Sequence, residues 1–152
     1  MISQLFLLCK PLLTSLRICW RRRKRQGDFV GIGIDLTEVS RIKSLAEQHE
    51  QFLTRVYTER EIAYCNRKKN KYQHFAARFA AKESVLKALG VGWAKEIKWT
   101  DIEVVNDPNG KPRINTYGAV KRLMDKKGVK EILISLSHIS LYAIASAQLV
   151  KG

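Results

Sequence analysis

Cysteine is scarce in this chain, which contains only three among its 152 residues. Cys9, Cys19 and Cys65 show none of the spacings that are typical of a zinc site or of a disulfide framework. Their number and spacing therefore argue against both of these means of stabilising a small domain. They also favour a cytoplasmic location, since thiols remain reduced there.

Long apolar runs are missing as well. The apolar stretch at residues 2–9 is followed at once by Lys10 and Pro11, far short of the about 20 apolar residues that a membrane-spanning helix needs. A secretory signal would carry its positive charge before the apolar stretch, whereas the basic block at residues 21–25 follows it. The sequence therefore predicts no stable membrane insertion.

Acidic residues are half as numerous as basic ones, 14 against 28, which gives a formal net charge of +14. Residues 1–27 contain seven of the cations and no acid, so residues 28–152 carry 21 cations against 14 acids, or +7. A basic surface suits a phosphate-bearing ligand, an acidic protein or a nucleic acid. Charge by itself does not choose among these three.

We interpret residues 1–28 as a basic N-terminal extension and residues 29–152 as the folded domain. Three readings of the extension remain open: a disordered or loosely helical tail, a start codon assigned too far upstream, and a membrane-surface anchor whose arginines contact anionic lipid. We expect a chain that lacks the extension to keep full activity.

Common catalytic motifs are missing too. The chain has no Walker loop, and Gly31-Ile32-Gly33 lacks the third glycine and the helix start of a dinucleotide-binding fingerprint. No spacing indicates a Ser/His/Asp or Cys/His nucleophile. On sequence alone, His138 is most simply interpreted as a hydrogen-bonded turn histidine.

From residue 29 onward the sequence predicts one α+β domain with a mostly antiparallel sheet. Alternation predicts a strand over residues 29–36, and Thr37 is expected to cap a helix that runs to about Gln48. Further helices are predicted over residues 52–56, 58–65, 72–89 and 117–127. Two hairpins are predicted from residues 101–106 with 111–115, and from residues 131–137 with 141–150.

The first predicted strand separates an apolar face from a face that carries Gly31, Gly33 and Asp35. Glycines inside a strand weaken it and usually mark the close approach of backbone or of a ligand. Asp35 is therefore interpreted as a carboxylate beside a ligand-sized gap, with the capping of the following helix as the alternative.

A second carboxylate stands out in the long predicted helix. At about 100° per residue, Glu83 falls in the same arc as Phe79, Leu86 and Gly90, and it is expected to lie within the apolar stripe. An unpaired buried carboxylate is costly, so Glu83 should be protonated, paired or bound to a metal. An ion pair with Lys87, one turn further on, is the simplest of these.

Four segments share the pattern of one known family. Residues 31–42 read GIGIDLTEVSRI and residues 75–88 read FAARFAAKESVLKA. Asn109-Gly110-Lys111-Pro112 and Leu136-Ser137-His138 follow in the chain. In sequence and order, these segments resemble the motifs of bacterial holo-acyl-carrier-protein synthases, which are 4′-phosphopantetheinyl transferases. The resemblance covers about residues 29–150.

This resemblance implies a fold in which a long helix packs on a small antiparallel sheet, assembled as a homotrimer with active sites between subunits. It implies transfer of 4′-phosphopantetheine from coenzyme A to a serine of an apo acyl carrier protein, with release of 3′,5′-ADP, in support of fatty acid biosynthesis. The family binds Mg²⁺ through one carboxylate of each long motif, here Asp35 and Glu83. Mg²⁺ does prefer oxygen ligands, often one or two carboxylates together with substrate phosphates.

The implied reaction is a phosphoryl-type transfer, in which positioning and charge neutralisation dominate. Asp35, Glu83 and Lys87 are the expected catalytic residues, with Lys87 facing the diphosphate of coenzyme A. The group that removes the serine proton remains open between a carboxylate and a metal-bound water. The residues expected at the adenosine phosphates, in part across the trimer interface, are Arg78, Lys111 and His138.

The resemblance also places the docking of the acidic carrier protein on the first helix. The expected contacts are Arg41, Lys43, Leu45 and Phe52. An ordinary solvated face is the alternative, because lysine and arginine usually form one. The chain departs from the family here, since Gln48, Glu50 and Gln51 occupy positions where further cations are common.

Two rival functions come from other classes: a small basic nucleic-acid-binding protein and a membrane-surface protein built around the extension. Nucleic-acid binding should weaken steeply with salt and should need no metal. Neither rival accounts for Asp35 on a glycine face or for Glu83 in an apolar stripe. We therefore predict coenzyme A and an acyl carrier protein as partners, and no nucleic acid.

Overall fold

The structure is a computed structural model that describes residues 29–91 and 96–151. The predicted extension at residues 1–28 lies outside the described residues. Among the helices of these two segments, none combines the length and the apolar character needed to cross a lipid bilayer.

The elements follow the predicted order, and the predicted α+β class with antiparallel pairing is confirmed. The strands are β1 (Phe29–Glu38), β2 (Ile102–Asn106), β3 (Pro112–Thr116), β4 (Val129–His138) and β5 (Tyr142–Lys151). The helices are α1 (Val39–Gln48), α2 (Phe52–Val56), α3 (Glu59–Asn66), α4 (Lys71–Leu89) and α5 (Gly118–Lys127). A short 3₁₀ turn over Trp99–Asp101 precedes β2.

The three-stranded antiparallel sheet has the order β1-β5-β4, and β2 pairs with β3 in a separate hairpin. Gly33 pairs with Ala147 and Asp35 with Ala145 across β1 and β5. These small residues lie on the sheet face that packs against α4, where both alanines are buried. The sheet can therefore lie unusually close to the helix.

The largest group of buried side chains lies where the second half of α4 packs against α5 and the sheet. It includes Val85 and Leu89 of α4, Val120 of α5 and Leu149 of β5. Since these apolar side chains are removed from water together, they hold α4 in a fixed position relative to the sheet.

Helix α4 is enclosed around most of its circumference, because twelve of its nineteen residues are buried. Glu83 lies on the remaining strip, with Phe79 and Lys87 one turn to either side, and it is only partly buried. The prediction of a helix covered on several sides is therefore correct, but Glu83 is not enclosed in an apolar stripe.

The predicted helix cap at Thr37 is wrong. Strand β1 continues through Glu38, which takes the N-cap position of α1 without a side-chain hydrogen bond. The strand continues because β5 supplies pairing partners as far as Tyr142, opposite Glu38. Alternation then turns Thr37 to the same face as Asp35, where it is buried.

The other face of the three-stranded sheet exposes several large apolar side chains. Ile32 and Ile34 are each 59% exposed and Leu36 is 63% exposed. Leu133 and Ile144, also exposed, lie on the same face. Ser146 and Gln148 of β5 lie on this face too, opposite Ile34 and Ile32, so the row of apolar side chains on β1 is the candidate contact surface.

Candidate active site

Strand β1 packs lengthwise against α4 and brings Asp35 within electrostatic range of Glu83. The charge of one carboxylate affects the protonation of the other. Partial burial raises the pKa of the Glu83 carboxyl, and the neighbouring Asp35 carboxylate raises it further, while Lys87 and Arg41 act in the opposite direction. The structure thus brings together the two carboxylates that the sequence singled out, although they are 48 positions apart.

The two strand glycines make this arrangement possible. A Cβ atom on Gly33 would lie 1.9 Å from the carbonyl oxygen of Ser84, and one on Gly31 would lie 2.2 Å from that of Ala88. From the sequence, the glycines could mark the close approach of either a backbone segment or a ligand. The neighbour is the backbone of α4, and its close approach sets Asp35 against the turn that carries Glu83.

Lys87 reaches Asp35 rather than Glu83. Its ammonium lies 2.8 Å from Asp35 Oδ1 and also donates to the carbonyl of Ile34 at 3.1 Å. Among residues 29–91 and 96–151, no ion pair forms between Lys87 and Glu83. The simple i, i+4 pair suggested by helical spacing is therefore not the one that forms.

Thr37 holds the other oxygen of Asp35. Its hydroxyl donates to Asp35 Oδ2 at 2.8 Å, and the threonine is only 5% exposed. A buried donor of this kind limits the rotation of the carboxylate and so orients it. Sequence reasoning missed this role because it assigned Thr37 to a helix cap.

The donor set suits a hard cation that completes its coordination with substrate oxygens. The described residues contain no group of three or more His, Cys, Asp and Glu side chains that could hold a metal by themselves. Asp35 and Glu83 supply only two carboxylates, which leaves the other coordination positions of a bound cation to substrate oxygens and water. This matches the way in which Mg²⁺ is commonly bound, by one or two carboxylates plus phosphates.

A second polar cluster surrounds Arg78, which is 3% exposed. Arg78 Nη2 donates to Asn106 Oδ1 at 2.9 Å, and the guanidinium lies 4.0 Å from the centre of the Tyr64 ring. Its buried Nε has no hydrogen-bond partner among the described residues. The cavity beside it, about 180 Å³, is therefore lined by a buried cation with an unused donor.

Two histidines complete this cavity. The rings of His74 and His138 lie 4.9 Å apart, nearly perpendicular to each other. Burial lowers the pKa of His74 to about 4, and the nearby His138, Arg78 and Lys68 contribute to the lowering. Lys111 does not line the cavity itself but lies in the chain between Gly110 and Pro112, which both do. The role of His74 in this cavity was not predicted, because the sequence around a single helical histidine does not show that His138 lies beside it.

The two clusters lie on different sides of α4. Arg78 and Glu83 are five residues apart, which corresponds to about 140° around a helix at about 100° per residue. Within one chain, the structure therefore brings Arg78 together with His138 but does not bring this pair to Asp35 and Glu83.

The predicted carrier-docking residues also fall into two groups. Arg41, Leu45 and Phe52 line one groove of about 880 Å³, whose apolar side chains include Phe79 and Trp99. Lys43 lines a separate, smaller groove together with Lys69, Lys71 and Tyr72.

Lys82, next to Glu83 in the chain, has no access to solvent. Its ammonium lies 2.7 Å from Glu61 Oε2, and both side chains are fully buried. It also donates to the carbonyls of Val56, Trp99 and Ile102. The motif lysine that precedes Glu83 therefore ties together the segments around α4, a role that sequence reasoning did not find.

Comparisons with known proteins decide the family. The sequence model of the 4′-phosphopantetheinyl transferase superfamily matches residues 31–145 of the chain. A holo-acyl-carrier-protein synthase from Solibacter usitatus is 45% identical over 118 residues, which cover 77% of this chain and 94% of that protein. The chain belongs to the holo-acyl-carrier-protein synthase family.

Solved structures agree with this family and with its fold. A holo-ACP synthase from Plasmodium yoelii matches with a TM-score of 0.72 and 30% identity, over 84% of this chain and 99% of that chain. A holo-acyl-carrier-protein synthase from Bacillus anthracis, in complex with CoA (3′,5′-ADP), matches with a TM-score of 0.69 and 34% identity, over 83% of this chain and all of that chain. The predicted family and fold are thereby confirmed.

Proposed function

We propose that this protein transfers the 4′-phosphopantetheine group of coenzyme A to a serine of an apo acyl carrier protein, with release of 3′,5′-ADP. The observation that carries the proposal is the juxtaposition of Asp35 on β1 with Glu83 and Lys87 on the facing strip of α4. Two carboxylates and one mobile ammonium match the needs of a reaction at a diphosphate, where charge must be balanced as the phosphorus–oxygen bond changes.

Asp35 and Glu83 are the proposed ligands of Mg²⁺. The donor set fits, because the two carboxylates are close enough to affect each other electrostatically and Glu83 has no ion pair with another described residue. Bound there, the ion would neutralise charge on the diphosphate of coenzyme A.

Lys87 is the proposed ligand of the diphosphate. Its side chain is 50% exposed, so the ammonium can leave Asp35 and reach a ligand above α4. In the reaction, the serine hydroxyl gives its proton to a carboxylate or a water at this site, its oxygen forms a bond to the pantetheine-side phosphorus, and the bond from that phosphorus to the 3′,5′-ADP oxygen breaks. Lys87 stabilises negative charge on the departing oxygen.

The cavity beside Arg78 and His138 is the proposed site of the adenosine phosphates, and Lys111, between two residues that line it, is a further proposed contact. Since this cavity and Glu83 lie on different sides of α4, a single ligand can use both only if two subunits contribute. We therefore propose a homotrimer with active sites between subunits. The exposed apolar face around Ile34 offers the surface on which such subunits would pack.

The groove lined by Arg41, Leu45 and Phe52 is the proposed docking site of the acidic carrier protein, with Lys43 at a distance from it. Arg41 acts electrostatically on Glu83, so a carrier bound there would bring its serine near the carboxylates. We further propose that residues 29–152 are sufficient for activity, and that the protein works in the cytoplasm, where the free thiol of the buried Cys65 is stable.

The test is to incubate the full chain with apo acyl carrier protein, coenzyme A and Mg²⁺, and to weigh the carrier by mass spectrometry. We expect an added phosphopantetheine, abolished by chelation of the metal. Glu83→Gln should lose this Mg²⁺-dependent turnover while remaining folded. Asp125→Asn, an exposed carboxylate paired with Lys121 on α5, is the matched control and should keep it. An unmodified carrier with folded enzyme would contradict the proposal.

A further inference from the structure

We propose that Lys87 competes with the divalent cation for one oxygen of Asp35, and that the coenzyme A diphosphate removes this competition by drawing Lys87 away. The inference rests on the proposed function, and it adds a coupling between the two ligands. Metal and coenzyme A would then each bind weakly alone and tightly together.

Both oxygens of Asp35 are already engaged by the protein. Lys87 donates to Oδ1 and Thr37 donates to Oδ2, each at 2.8 Å. The threonine contact leaves the carboxylate its negative charge and room for another partner, because each carboxylate oxygen can accept two bonds. The ammonium is different, since it brings a full positive charge to Oδ1.

A magnesium ion on Oδ1 would lie about 2.0–2.1 Å from that oxygen. An ammonium 2.8 Å from the same atom is a second cation within a few ångströms, where like charges repel strongly. The Asp35 side chain is only 14% exposed, so little water separates the two charges. The binding of either Lys87 or the metal to Oδ1 therefore weakens the binding of the other.

A phosphate would give the Lys87 ammonium an anionic partner in place of Asp35. Within the described residues, the other acceptor of the Lys87 ammonium is the carbonyl oxygen of Ile34 at 3.1 Å. This oxygen is neutral, so its hydrogen bond is weaker than one to a carboxylate. Its half-exposed side chain can swing outward to an anion above α4. A diphosphate there would attract the ammonium and leave Asp35 to the cation.

Thermodynamic linkage makes this coupling reciprocal: whatever coenzyme A adds to metal affinity, the metal adds to coenzyme A affinity. Lys87 is thus both a diphosphate ligand and a positioning residue that lowers the affinity of the metal site for a cation in the absence of coenzyme A. Removing it should tighten metal binding in the absence of coenzyme A while it impairs turnover.

The test measures Mn²⁺ binding to the full chain without coenzyme A, by the electron paramagnetic resonance signal of free Mn²⁺. Lys87→Gln should bind Mn²⁺ about two- to fivefold more tightly than the natural protein, the range expected for loss of a partly exposed ion pair. Arg41→Gln is the control for charge alone, since Arg41 lies near Glu83 but does not contact Asp35. Its effect should be smaller.

The same curves are then measured with saturating coenzyme A. The enhancement of Mn²⁺ affinity by coenzyme A should be smaller in Lys87→Gln than in the natural protein by about the same two- to fivefold factor. Unchanged affinity in Lys87→Gln, an equal gain in Arg41→Gln, or an unchanged enhancement would each overturn the inference. A protein that modifies its carrier but gives one of these results would lose only this inference and keep its proposed function.

Discussion

Replacing Lys82 by methionine tests the buried ion pair that ties the segments around α4 together. Methionine fills a similar volume but cannot donate hydrogen bonds, so Glu61 would stay buried without its cation. Removing one partner of a buried pair typically costs about 3–5 kcal/mol. Domains of this kind have a total stability of about 5–15 kcal/mol, and we expect Lys82→Met to lose a large part of it.

A second substitution separates the ion pair from the rest of the lysine contacts. Glu61→Gln removes the charge and keeps an acceptor oxygen for only one of the backbone donors of Thr58 and Val104, because these donors bond to different carboxylate oxygens. In the double variant neither charge is left unpaired. We expect it to recover about 1 kcal/mol or more relative to the sum of the single changes, as residues in one network do.

The assay is equilibrium unfolding in urea, followed by circular dichroism at equal protomer concentration, since assembly also contributes to apparent stability. Lys121→Met is the matched control, because Lys121 forms an ion pair of the same 2.7 Å length with Asp125 while being 53% exposed. Its effect should stay within about 0.5 kcal/mol. If Lys82→Met were no more costly than this control, the buried pair would not be what stabilises the domain.

Three further predictions follow from the same contacts. Thr37→Val should weaken Mn²⁺ binding about tenfold and Thr37→Ser should restore it, because the hydroxyl fixes Asp35 as outer ligands fix metal-binding groups; equal binding by both variants would contradict this. Ile34→Glu should reduce the assembled mass measured by light scattering, whereas Ile34→Leu should not, and an unchanged mass would exclude this face as the subunit interface. His74 stays neutral in the folded chain down to about pH 4 but protonates near pH 6.5 when unfolded, so stability should fall as the pH drops from 6.5 towards 4. His74→Phe should flatten that slope in urea unfolding at several pH values, and an unchanged slope would show that His74 does not cause it.

Much of the fold could be predicted from local signals. The long helix ends at Gly90 in the left-handed conformation, as a glycine after an apolar run predicts. The turn at residues 107–110 joins β2 and β3, as its Asp-Pro-Asn-Gly sequence predicts. These features depend on a few neighbouring residues, so they are readable without a structure.

The sequence predictions were wrong where contacts with distant segments override the local conformational preference of a residue. Thr37 reads as a helix cap, yet pairing with β5 extends the strand past it. Glu83 falls within an apolar arc by spacing, yet the neighbouring elements leave its side of α4 partly open. Strand alternation separated the two faces of β1 correctly, but it could not show that the glycine face meets α4 and that the isoleucine face lies exposed.

The sequence by itself determined which residue types were available for the chemistry: a carboxylate beside glycines, a second carboxylate on a long helix, and a lysine one turn further. Tertiary structure alone decided their partners. Lys87 binds Asp35 rather than Glu83, and Lys82 is buried on Glu61. The physical reason is that these contacts span 21 and 52 positions in the chain, and only the close packing of β1 and α3 on α4 brings such distant charges within ångströms of each other.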